Sequence, residues 1–109
     1  MRMYISGEWV DRDEKIIVSN PFDGSPIDTI PSADTGDVEE AVASAVRGAR
    51  VMSGISGYER YQILRKAADL LEERTEEFGR TITLEEGKVI SEGRLEVSRA
   101  VQTISLSAE

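Results

Sequence analysis

The chain has 109 residues, a net charge of −8 and a pI near 4.6, so it offers one domain's worth of sequence or less and no basic stripe for a phosphate backbone. Zero cysteines and zero histidines exclude a Ser-His-Asp triad, a thiolate nucleophile, disulfides and ordinary zinc sites from this stretch. No apolar run approaches the roughly 20 residues that cross a bilayer, and the start MRMYISGEWV has no apolar leader core, so a cytoplasmic location is expected, with neither nucleic acid nor membrane as partner.

The first third reads as β. MYIS and EWV flank Ser6-Gly7, which suits a tight turn between two short strands, with Trp9 as their anchor. KIIVSNP and SPIDTIP form a second strand pair around NPFDG, where Pro21 and Gly24 supply fixed and permissive dihedrals. Pro26 and Pro31 suit strand ends, because proline cannot donate to a central ladder.

Helices take over at Asp34, an N-cap candidate with Asp37 three residues on. Val38, Ala41, Val42, Ala45, Val46 and Ala49 follow at the spacing of one buried stripe, and GISG reads as the connection that ends it. A second helix is expected over about residues 58–74, burying Tyr61, Leu64, Ala68 and Leu71 with Glu72, Glu73 and Arg74 in water. A third, over about 75–85, uses Phe78 and Ile82 and stops at Gly87, a left-handed cap. The fourth begins near Val89 and carries Ile90, Val97, Ala100, Val101, Ile104 and Ala108. VQTISLSAE stops in mid-pattern, with no Gly, Pro or basic last turn, which gives the expectation that the chain is a piece of a longer protein. The nine glycines form neither GxGxxG nor a Walker A loop. The expectation is therefore an α+β segment, β-rich over 1–33 and helical over 34–109, without catalytic or cofactor-binding residues of its own.

In order along the chain, YISGEWV, SNPFDGSPIDTIP, DTGDVEEAVASAVRGA and ERYQILRKAADLLEERTEEFGRTITLEEGK resemble the N-terminal part of the aldehyde dehydrogenase superfamily. The resemblance implies an α/β fold in three parts, with a nucleotide-binding domain on which residues 34–109 pack, a catalytic domain and an oligomerisation arm. It implies oxidation of an aldehyde to a carboxylic acid with NAD or NADP. A cysteine attacks the aldehyde, hydrogen-bond donors hold the oxyanion, and a glutamate activates the hydrolytic water. All of those groups lie beyond this segment, which is expected to be inert alone. The remainder of the enzyme chain, an aldehyde substrate and further copies in a homo-oligomer are the implied partners.

Two local patterns bear on sites. Glu85, Gly87 and Lys88 match the family's Glu-x-Gly-Lys. They read most simply as a helix C-terminus, but the resemblance also implies a monovalent cation held by Glu85 with the backbone carbonyls of Val18 and Ser19. This chain has Glu85 where several members carry the shorter Asp. Further on, Lys88 and Glu92 (i,i+4) and Glu96 and Arg99 (i,i+3) stand at ion-pair spacing. Glu96-Val97-x-Arg99 followed by AVQTISLSAE resembles the subgroup acting on lactaldehyde and, without phosphorylation, on glyceraldehyde 3-phosphate. That likeness implies that Arg99 faces the distal, anionic or hydroxylated end of the aldehyde. Succinate semialdehyde, which also ends in an anion, is a third candidate substrate. The reading from a different class is a stand-alone acidic helical module that docks partners without catalysis.

Overall fold

The computed structural model describes residues 1–109. Four strands are followed by four helices, and the change from one to the other falls between Pro31 and Thr35. The chain divides into two compact units, Met1–Ser19 with Pro26–Gly54, and Asn20–Ser25 with Ile55–Glu109. The first helix is thus grouped with the strands.

In the first unit, β1 (Met3–Ile5) and β2 (Glu8–Val10) pair antiparallel, with Tyr4 opposite Trp9. Ser6 (φ 54°) and Gly7 (φ 87°) are both left-handed, the backbone that lets a two-residue loop follow the strands' twist. Trp9 is not a buried anchor. It is 66% exposed, its ring tilted against Tyr4 at 5.1 Å between centroids, because a two-stranded ribbon has no second layer to cover its face. Strands β3 (Lys15–Ser19) and β4 (Pro26–Pro31) also pair antiparallel, and both prolines fall at strand ends. Their register shifts between Val18 and Ser19.

Helix α1 (Thr35–Gly54) starts as its sequence requires. The Asp37 N–H donates to the Asp34 carboxylate at 2.9 Å, and the Asp34 N–H donates back to Asp37 at 3.1 Å, so two otherwise orphaned donors are satisfied reciprocally. Arg12 adds a bidentate contact to the buried Asp37 carboxylate, which ties the segment after β2 to the helix start. The Asp34 N–H, seconded by Arg12, holds the Asp37 carboxyl below its ordinary range against the opposing effect of burial. The expected stripe on α1 exists but is not buried. Val38, Val42 and Val46 are each more than half exposed, since among the strands only β1 lies substantially against this helix.

In the second unit, α2 (Gly57–Glu73), α3 (Thr75–Glu86) and α4 (Ile90–Ala108) pack together, with α4 meeting both of the others. Ser56 and Glu59 form a capping box at the start of α2. Its Ser-x-x-Glu signature lies inside the stretch that composition marks as a mere connection. Gly87 takes the left-handed cap (φ 71°) and donates to the Thr83 carbonyl at 3.0 Å. Ala68 and Val97 are the buried apolar side chains. Tyr61 and Phe78, expected inside, are each 37% exposed. Tyr61 stacks on Tyr58, and the Arg74 guanidinium covers the Phe78 ring at 5.0 Å. Between α3 and α4 the backbones come close where Gly79 faces Gly93.

With only two apolar side chains buried and the α1 stripe open, little apolar burial offsets the chain entropy of folding. The 109-residue chain by itself is expected to self-associate, bind a hydrophobic dye and melt without a sharp transition. A monomer by sedimentation with a single cooperative calorimetric peak would contradict this.

Candidate functional site

Helix α4 places the residues that the sequence singles out. Val97 is buried, and Ala100, Val101 and Ile104 are half-buried on the same side, as residues three and four apart on one helix face must be. Arg99, two residues from Val97, is exposed. Its backbone carbonyl accepts the Thr103 hydroxyl at 2.9 Å, while its guanidinium makes no ion pair or side-chain hydrogen bond.

That freedom has a local cause. Neither ion pair suggested by the helical spacing forms. Lys88 precedes the N-cap Val89 and so lies outside the helix, where the i,i+4 relation to Glu92 has no geometric basis. It reaches instead to Glu96, two turns into α4, and to Glu86 at 2.6 Å. Glu86 first, then Glu96, raise the Lys88 ammonium above its ordinary range, so it is charged throughout the physiological span. Glu96 is thereby bonded away from Arg99. A second cation, Arg94, crosses from α4 to α3 and clasps Glu76 with two hydrogen bonds of 2.7 and 2.8 Å. Helical spacing signals neither tie, because both partners come from different elements.

Beside Lys88 lies an open recess of about 260 Å³ lined by Asn20, Phe22, Thr83, Leu84, Gly87 and Val89 as well as Lys88 itself. Its floor is ordered by the turn at residues 20–25. The Gly24 N–H donates to the Asn20 carbonyl at 2.8 Å, the Asn20 side chain accepts the Phe22 N–H at 2.9 Å, and Gly24 has a left-handed backbone (φ 73°). Pro21 packs against Gly87, where a Cβ would stand 3.0 Å from the Pro21 ring. The cap glycine therefore serves both backbone conformation and close approach.

The three residues named for a monovalent cation are placed as follows. Val18 and Ser19 are consecutive at the end of β3, and Glu85 is an exposed residue in the last turn of α3, its carboxylate in no ion pair. The donor chemistry fits a hard cation: Pro26, opposite Ser19 in the ladder, has no N–H to give, and the register breaks at this point. Val18 and Ser19 belong to the first compact unit and Glu85 to the second.

The residues do not build a dinucleotide cradle. Such a cradle needs glycines at a strand-to-helix turn where backbone N–H groups meet phosphates. The left-handed glycines are Gly7 in the β1–β2 turn, Gly24 in the β3–β4 turn and Gly87 between two helices.

Comparison with known proteins agrees with this segment-like character. A model described as the aldehyde dehydrogenase family matches residues 9–109. The chain is 45% identical, over 98% of its length, to a 3-sulfolactaldehyde dehydrogenase of Priestia megaterium, of which it covers 22%. It is 36% identical, over 97% of its length, to a lactaldehyde dehydrogenase of Methanococcus aeolicus, of which it covers 23%. Its fold matches 23% of the crystal structure of an NADP-dependent glyceraldehyde-3-phosphate dehydrogenase from Bacillus halodurans, with a TM-score of 0.95 and 33% identity over 98% of this chain. The chain thus spans under a quarter of the length of these relatives.

Proposed function

This chain belongs to the aldehyde dehydrogenase family, and on that premise we propose that it is the N-terminal part of an enzyme oxidising a 2-hydroxyaldehyde to the carboxylic acid. The similarity to a 3-sulfolactaldehyde dehydrogenase carries this reading. Sulfolactaldehyde, lactaldehyde and glyceraldehyde 3-phosphate share an aldehyde next to a hydroxylated carbon, and two of them end in an anion. The unpaired Arg99 guanidinium supports a preference for the anionic members. Such a planar fork bonds sulfonate, phosphate or carboxylate oxygens in pairs, and its stem can lie along the apolar boundary of α4. Bound NAD or NADP would accept the hydride in the complete enzyme. This segment contributes support for the nucleotide-binding domain through its helices and one substrate-side cation, and alone it forms no NADH or NADPH. The whole enzyme acts as a cytoplasmic homo-oligomer in this reading.

The test is a substrate profile of the full-length enzyme, read as reduced-nucleotide formation with each coenzyme. Sulfolactaldehyde, glyceraldehyde 3-phosphate and lactaldehyde should exceed propanal in kcat/KM, with succinate semialdehyde as the anionic substrate lacking the 2-hydroxyl. Propanal as the best substrate would sink the assignment.

We also propose that Glu85, with the Val18 and Ser19 carbonyls, holds a monovalent cation in the full-length protein. The ladder break at Ser19 and the unpaired Glu85 carboxylate support it. Glu85→Gln should abolish a potassium- or sodium-dependent rise in melting temperature. An unchanged salt response in the variant, or none in the parent, would remove this site.

A further inference from the structure

We propose that Lys88 is a positioning residue for substrate selectivity: by holding Glu96, it keeps the Arg99 guanidinium free for the distal anion of the aldehyde. The inference rests on the reading of Arg99 just given. Glu96 and Arg99 stand three residues apart on one helix, a spacing at which carboxylate and guanidinium ordinarily meet. They do not pair here, because Glu96 is bonded to Lys88, which enters from the α3–α4 connection and is itself anchored by Glu86 at 2.6 Å. Arg94, the other arginine on this part of the helix, is engaged by Glu76. Arg99 is therefore the cation that α4 leaves unneutralised in this region.

Removing the Lys88 charge has two consequences with the same sign. Glu96 becomes available to capture Arg99, and its uncompensated carboxylate then repels an incoming sulfonate or phosphate. Lys88 touches neither substrate nor coenzyme in this scheme. Its effect belongs to the affinity for anionic aldehydes and passes through Arg99.

The experiment measures, in the full-length enzyme, the ratio of kcat/KM for 3-sulfolactaldehyde to that for lactaldehyde. Lys88→Gln should lower this ratio by about two- to fivefold, the size expected from one helical ion pair plus one nearby like charge, with the loss in KM for the sulfonate. The double variant Lys88→Gln/Glu96→Gln should restore the ratio, because no carboxylate remains to capture Arg99, and this recovery also shows that Lys88→Gln has not simply damaged the fold. In an Arg99→Gln background, Lys88→Gln should change nothing further. If Arg99→Gln lowers the ratio but Lys88→Gln does not, or if the Lys88 effect persists without Arg99, the positioning role is overturned and the Arg99 reading stands. If Arg99→Gln leaves the ratio unaltered, the Arg99 reading falls and this inference with it.

Discussion

Arg99→Ala in the full-length enzyme should lower kcat/KM for an anionic aldehyde such as 3-sulfolactaldehyde by about ten- to a hundredfold, mainly through KM. The size follows from the loss of a charge-assisted contact, about 1.5–3 kcal/mol. The assignment to the distal end follows from position. Arg99 is exposed beside the half-buried Ala100 and Val101 and has no carboxylate of its own, so nothing within α4 is lost with it. For lactaldehyde, which ends in a methyl group, the loss should be much smaller, because an interaction with the distal anion does not exist there. Steady-state kinetics on both substrates make the comparison. Equal losses would mean that the side chain supports the fold and does not read the substrate.

Gly93→Ala should be the most damaging single-methyl addition in this segment. A Cβ on Gly93 would stand 2.5 Å from the Gly79 carbonyl oxygen and 3.1 Å from the Thr83 hydroxyl. The first neighbour is backbone and cannot swing aside, so α3 and α4 must move apart. Their separation would also disturb the Arg94–Glu76 clasp that spans the crossing. Overpacking of this kind costs about 1–3 kcal/mol, and contact with a fixed carbonyl belongs at the upper end. That outweighs the roughly 1 kcal/mol by which alanine is the better helix former. At Gly79 a Cβ would meet Arg94 atoms at 3.3 Å, a milder intrusion, so Gly79→Ala should be less harmful. Melting temperature and soluble yield of the full-length variants provide the ranking. A Gly93→Ala protein as stable as its parent would show that the crossing is loose.

The Gly79–Gly93 crossing also illustrates what local pattern does not carry. Both glycines are plain in the sequence, yet each reads alone as a weak point in a helix. Only the approach of two backbones gives them a purpose, and that approach depends on how α3 and α4 cross. The same holds for Arg12 on Asp37 and for Lys88 on Glu96, whose partners are 25 and 8 residues apart. The i,i+3 rule that suggested Glu96–Arg99 was sound for an isolated helix, but a stronger claimant arrived from outside it.

What the sequence by itself determined are the elements and their punctuation. Ser6-Gly7, the two strand-end prolines, Asp34 with Asp37, and Gly87 each specify a backbone state through their own side chain or lack of one, so turns, caps and helix ends stand where local chemistry puts them. The ordered motifs likewise carried the family. Burial and pairing were decided by tertiary structure alone. The apolar stripe of Val38, Val42 and Val46 marks a face that must be covered, but periodicity does not say by what, and nothing within this chain covers it. Whether Arg99 is neutralised was decided in the same way, by a lysine just beyond the helix start, because ion pairing depends on distance in space and helical spacing accounts only for neighbours on the same helix.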